Sequence, residues 1–269
     1  MLRPILRKTK GYTGLITNFL APDVSAEATK PFVFLDLLQG DAPDDFGFPY
    51  HPHSGIATLT YAVHMDIEYI DTEQHSGVLP AGGLEWMSAG GGAWHKARIP
   101  KGGEVCGIQL WIALPPKLEE GPSYSKYIAP QSVPRIDNVK VLLGTYRDVF
   151  SELATPHSMN YLDINLQEGE DFTYSVPEEH HQSFVLVYNG SATIQGEQVT
   201  RELVVFKPSG CLIKIHALTK ANVIVASSVP HPHPLVAKRG SVHTSGDALK
   251  KGERRIAAIR EELEGKGML

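Results

Sequence analysis

The chain has 269 residues, with 25 basic against 30 acidic side chains, a formal net charge of −5, 42% hydrophobic and 20% charged residues. This composition excludes wholesale disorder. It offers no basic excess to neutralise phosphates, so direct nucleic-acid binding is not expected, and no run of 18 apolar residues is present to cross a membrane as a helix.

The basic segment Met1 to Tyr12 is followed by no apolar stretch of the kind a secretory leader carries. Cys106 and Cys211 are far apart, each in an apolar run, and read as buried inert thiols in a cytoplasmic protein. With 25 Gly and 19 Pro, the chain is punctuated into short apolar segments. Thr58–Val63, Glu104–Leu114, Lys140–Leu143, Met159–Leu166, Phe184–Tyr188, Leu203–Phe206 and Asn222–Ala226 read as strands. Turn signals stand between them at Gly82-Gly83, Gly90-Gly91-Gly92, Gly102-Gly103 and Asn189-Gly190. Many short strands with little helical period predict an all-β chain of sandwiches or barrels. Pro115–Pro134, with five prolines, reads as a connector between two halves. The expected division is an N-terminal barrel over 1–118, a linker over 119–135, a second barrel over 136–230 and a tail over 231–269. In the tail, Leu249, Ile256, Ile259 and Leu263 recur at helical spacing from Gly246 onward. Thr244 or Ser245 can cap that helix and Gly265 and Gly267 can end it. Its apolar stripe is expected to pack back on the barrels, and its mixed charges to face solvent.

The chemistry concentrates in two places. His51-Pro52-His53 puts two imidazoles on one side of an extended chain, since residues i and i+2 share a face. That is the first half of a metal site. The stretch GVLPAGGLEWMSAGGGAWH, Gly77 to His95, then supplies a turn, a short strand, a glycine loop and a third imidazole, His95. Trp86, Met87 and Trp94 in this stretch are large enough to fill a small barrel. His231-Pro232-His233 repeats the tripeptide but sits among prolines and reads as a polyproline-like loop. His64 and His75 read as surface positions, and Tyr69 as a pocket-lining or packing residue. His180-His181, taken as neighbours in a strand, would face opposite ways and make a poor chelate.

HPHSGIATLTY followed by GVLPAGGLEWMSAGGGAWH resembles the pirin family of the cupin superfamily, and the resemblance runs through nearly the whole chain. It implies a bicupin, two cupin-type β-barrels in one chain, with one divalent metal in the first barrel. Iron is the family's usual metal, and Mn, Ni, Cu or Zn accept such ligands too. Carried over, the ligands are His51, His53 and His95. The family's fourth ligand, a glutamate two residues after the last histidine, is here Ala97, and a second family glutamate nearby is Ala57. Glu85 stands where other cupins place a ligand, after Pro80-Ala81-Gly82-Gly83-Leu84. An unpartnered glutamate inside a barrel is costly, so Glu85 is expected to be the replacement ligand.

Two functions are then in view. One is a quercetinase-type dioxygenase taking a small aromatic substrate, with Glu85 as ligand or as the base for the substrate's proton. Phe46, Phe48, Trp86 and Met87 would form its apolar walls. The other is a regulatory pirin, binding a protein partner through a barrel that no longer does chemistry. The chain is expected to be a monomer.

Overall fold

The computed structural model describes residues 1–11, 14–72 and 75–269. From the N-terminus the strands are β1 (Ile5–Lys10), β2 (Ile16–Leu20), β3 (Phe32–Ala42), β4 (Phe46–His53), β5 (Ile56–His64), β6 (Ile67–Asp71), β7 (Ser76–Leu79), β8 (Leu84–Ser88), β9 (Ala93–Ile99), β10 (Gly103–Ala113) and β11 (Tyr124–Ile128). A six-stranded sheet in the order β11-β8-β5-β10-β3-β2 accompanies a four-stranded sheet in the order β4-β9-β6-β7, and the pairs given are antiparallel.

Alternation along the strands divides the larger sheet's side chains into two sets. On β3, Leu35 and Leu37 face one way and Phe34, Asp36 and Leu38 the other; on β10, Ile108 and Leu110 oppose Gly107, Gln109 and Trp111. The first set joins Leu59, Tyr61, Leu84 and Trp86 in a core shared with Tyr161, Phe184, Leu186, Leu203 and Val205 of the second half. The two halves therefore pack sheet against sheet, and Phe32 meets Phe184 edge-on at 5.3 Å. A buried carboxylate lies at this junction. Buried Asp163 accepts from Tyr61 Oη at 2.7 Å and from Tyr188 Oη at 2.8 Å.

The second half pairs a seven-stranded sheet with a four-stranded one. In its largely aliphatic core Val141, Leu162, Ile164, Val185, Val187 and Val223 pack with Ile194, Ile213 and Ile215, all buried. Each such side chain contributes about 1.5–3 kcal/mol of burial. The all-β architecture of two barrels and one helix is the one the sequence implies.

Three details differ from the expected division. β1 lies not in the first half but beside Glu202–Phe206 of the second, in antiparallel register from Ile5↔Phe206 to Lys10↔Glu202. Its alternating half-buried and exposed side chains suit an edge position. Within the connector, residues 124–128 form β11 and extend the first half's sheet along β8. Cys211 is exposed, unlike Cys106, because it stands in a turn against Met1 rather than in a core strand.

The tail carries α1 (Gly246–Gly265), capped by Ser245, whose side chain accepts from Ala248 N at 3.2 Å. Ile259 and Leu263 pack on Trp94 of β9, and Trp94 Nε1 donates to the Ile256 carbonyl at 3.1 Å. Gly252 is needed inside the helix: a Cβ there would lie 2.5 Å from Ser54 Oγ and 2.6 Å from His243 Nε2. The helix thus closes on the strand pair that carries the three sequence-predicted histidines.

Candidate metal centre

β4 and β9 are neighbours, and their register places His51 opposite His95, with His53 one pleat repeat further along β4. The three imidazoles converge: one ring nitrogen from each lies within 4.8 Å of the others. The opposite edge of each ring is held. His51 Nδ1 donates to the Pro49 carbonyl at 2.8 Å, His53 Nδ1 to the Gly240 carbonyl at 2.9 Å, and His95 Nδ1 to Glu85 Oε1 at 3.3 Å. Fixing Nδ1 sets the tautomer and leaves Nε2 as the donor to a metal. His95 Nε2 is buried and has no hydrogen-bond partner. Such an orphan inside a protein is costly unless something binds it.

The electrostatics agree. Burial, aided by the positive charge His95 can carry, holds His51 down at about 4, and the same causes push His53 well below its ordinary value. Both rings are therefore neutral at pH 7, the form that ligates. Three converging imidazoles, one with an unpaired Nε2, fit a divalent metal.

Glu85 faces the inside of the barrel, as expected, and stands behind His95. It is buried, but its carboxylate is taken up by His95 Nδ1 and the Thr60 side chain, and it does not join the converging group of ligand atoms. Burial pushes its carboxyl up, yet the His95 and Thr60 hydrogen bonds and the His95 and His51 charges outweigh that and leave it below the usual carboxylate range. A carboxyl held this low is poorly matched to the role of base for the substrate's proton at neutral pH. Ala97, two residues from His95, shares its face and lines the same cavity without offering a donor. Ala57 faces the core between the two sheets, away from the histidines.

The histidines form one wall of a cavity of about 250 Å³. Its apolar surface comes from Phe34, Phe48, Met65, Ile67, Ile99 and Trp111. Phe34 and Trp111 stack at 4.1 Å, and the Trp111 ring lies 4.9 Å from the His53 ring. Of the walls expected from sequence only Phe48 is here. Trp86 faces the core between the sheets, Met87 packs with Ala89 and Ala93, Phe46 packs with Leu38 and Ile99, and Trp94 is covered by α1. Strand alternation accounts for Trp86 and Trp94, whose sequence neighbours Glu85 and His95 face the cavity.

The tail reaches this site as well. Beyond the Gly240 carbonyl on His53, Ser54 Oγ donates to Ser241 Oγ at 2.9 Å and lies 2.9 Å from His243 Nε2. His243 Nδ1 is 3.3 Å from Glu119 Oε2, and Glu119 accepts from Thr244 N at 2.7 Å. Ser54, Glu119 and His243 are all buried, so this Ser–His–Glu array fastens the tail beside the three histidines and reaches no solvent.

The other histidines stand apart. His64 and His75 are exposed, and the Glu73-Gln74 turn before His75 lies outside the described residues. Tyr69 stacks on Tyr127 at 3.7 Å. His180 and His181 are in a loop rather than a strand; His180 is buried and bonded to Ser158 and Ser227. His231 is in the proline-rich loop, buried under the Leu114 carbonyl.

Residues 16–112 match the Pirin family and residues 161–251 match the Pirin C-terminal cupin domain. A Pseudomonas aeruginosa protein named "putative quercetin 2,3-dioxygenase" is 30% identical over 262 residues, covering 90% of this chain and 88% of its own. The chain belongs to the pirin family. A pirin-like protein of Caulobacter vibrioides is 28% identical, over 87% of this chain and 90% of its own. Among solved structures, a quercetin 2,3-dioxygenase from Acinetobacter baumannii superimposes with a TM-score of 0.86 at 22% identity, covering 99% of this chain and 98% of that one. A bacterial pirin from Escherichia coli in complex with nickel(II) gives 0.66 at 20% identity, covering 86% and 99%. The last two establish the shared pirin fold. The His51, His53 and His95 cluster therefore sits in the Pirin-matched half of the chain.

Proposed function

We propose that this pirin is a metal-dependent dioxygenase of the quercetinase type, acting on a flat, polyhydroxylated aromatic such as a flavonol. The observation that carries the reading is three converging imidazoles, each held at its Nδ1, opening onto a largely apolar cavity in the first barrel. The names of the Pseudomonas and Acinetobacter proteins support the substrate class.

His51, His53 and His95 would hold the metal, with iron(II) the first candidate. Bound there, the metal would supply coordination of a deprotonated substrate and its activation toward O2. The chain's own residues do the rest. Phe34 and Trp111 offer a stacked surface for an aromatic ring next to His53. Met65, Ile67 and Ile99 keep water from the reacting face. Glu85 holds His95 by Nδ1 and so fixes the orientation of the ring.

The absence of a donor at Ala97 favours a second reading, a barrel that holds metal without chemistry and serves a protein partner. Elemental analysis of protein purified without chelator, followed by O2 consumption with quercetin, decides between them. Near-stoichiometric metal, loss of it in His53→Ala and substrate-dependent O2 uptake are expected. Metal without uptake would favour the partner-binding reading, and no metal after anaerobic Fe(II) loading would overturn the dioxygenase.

A further inference from the structure

A row of polar side chains crosses the otherwise apolar floor of the cavity. Strand register pairs Asn18 with Asp36, Asp36 with Gln109, Gln109 with Thr60 and Thr60 with Glu85. At one end, Glu85 and Thr60 are tied to His95, and Gln109 Nε2 donates to Thr60 Oγ1 at 3.3 Å. At the other end stands Asp36. The Asn18 amide donates to its Oδ1 at 2.7 Å. Among the described residues no other hydrogen bond reaches this carboxylate and no cation acts on it. Half-buried, facing the cavity and without a countercharge, it is a strong acceptor left open.

Its position relative to the histidines is set by the strands. Three strand spacings, roughly 14 Å along the sheet, separate it from Glu85. Phe34, two residues before Asp36, stacks on Trp111, which touches the His53 ring. A ring lying on Phe34 and Trp111 with one edge toward the histidines would turn another edge toward Asp36.

Resting on the dioxygenase reading, we propose that Asp36 is a specificity-determining residue: it accepts a hydrogen bond from a hydroxyl on the part of the aromatic substrate remote from the metal. It selects polyhydroxylated ring systems over those whose polar group is the metal-binding end alone. Burial also lifts its carboxyl to about 6, so the group is an ionised acceptor at neutral pH and still holds protons tightly.

The test is an anaerobic fluorescence titration of the Fe(II)-loaded protein with quercetin and with 3-hydroxyflavone, which keeps the metal-binding end and lacks the other hydroxyls. Wild type is compared with Asp36→Asn and Asp36→Leu, each checked by thermal melting. Wild type should prefer quercetin. Both variants should lose about tenfold in quercetin affinity, as for a hydrogen bond to a charged group, and bind 3-hydroxyflavone as wild type does. Variants that keep the wild-type preference, or lose both ligands equally, would overturn the role of Asp36 and leave the dioxygenase standing. A wild type that binds neither flavonol would overturn both.

Discussion

His53 donates its Nδ1 hydrogen to the carbonyl of Gly240 at 2.9 Å, across 187 positions of sequence. The ring is therefore oriented by the tail rather than by its own strand. A Cβ on Gly240 would lie 2.5 Å from the Pro52 carbonyl oxygen and 3.0 Å from His53 Nδ1. Gly240→Ala should push the two segments apart and rotate His53 out of the converging group. A drop of about 10–100-fold in metal affinity is expected, the usual cost of losing a partner behind a ligand. Competition against a chelator reads it. Unchanged affinity would mean that β4 alone positions the ring.

Glu85 poses the corresponding question for His95. Its carboxylate bonds Nδ1, so a side chain that still accepts there should keep the site. Glu85→Gln should retain near-stoichiometric metal, Glu85→Ala should lose about 10–100-fold in affinity, and His95→Ala should lose more. Cobalt(II) substitution tells a positioning carboxylate from a ligand. The visible spectrum should be the same in wild type and Glu85→Gln. A spectrum altered by Glu85→Gln would return Glu85 to the ligand set.

The sequence was readable where its signals are local. Seven apolar runs became strands, and the helix starts and ends where Ser245 and Gly265 predict. His51 and His53 were visible from one tripeptide, and His95 from the glycine-rich stretch that ends on it. What was not readable depends on which face a residue takes. Trp86 and Trp94 look like cavity walls beside Glu85 and His95, yet alternation turns both outward. Glu85 was correctly placed inside, but no spacing reveals that it meets Nδ1 of a ring ten residues away. Asp36 was missed, although a charge inside FVFLDLL was a signal that it faces something other than core. Gly240 and Glu119 act through contacts far apart in sequence, which one sequence without registers cannot supply.

Between the barrels, Asp163 makes the junction depend on a polar contact. Tyr61 and Tyr188 both donate to it, Lys140 Nζ donates to Tyr61 Oη at 2.8 Å, and burial raises the carboxyl above its ordinary value. Asp163→Leu would strand two buried hydroxyls and should destabilise by on the order of 3 kcal/mol. Tyr188→Phe removes one donor and should cost about 1 kcal/mol. Urea denaturation measures both. An Asp163→Leu protein as stable as wild type would show that the apolar core holds the barrels together without this contact.

Asp36 makes stability itself depend on pH. Its carboxyl is raised from 3.8 to about 6, with burial the larger cause and the Asn18 hydrogen bond opposing it. The folded state thus holds the proton more tightly than the unfolded state. Stability from this group is complete below pH 4, falls as pH rises through about 6, and is flat above. The titratable groups sharing its cavity are His51, His53, Glu85 and His95, with no lysine or arginine among the lining residues. Asp36→Asn keeps the acceptor for Asn18 and removes the charge. It should melt with wild type at pH 4 and a few degrees higher at pH 7.5, the gap opening between those values. Melting curves across that range decide it: a gap equally large at pH 4 would mean the variant acts through packing, and a lower melting temperature at pH 7.5 would mean that the carboxylate has a partner that stabilises its charge.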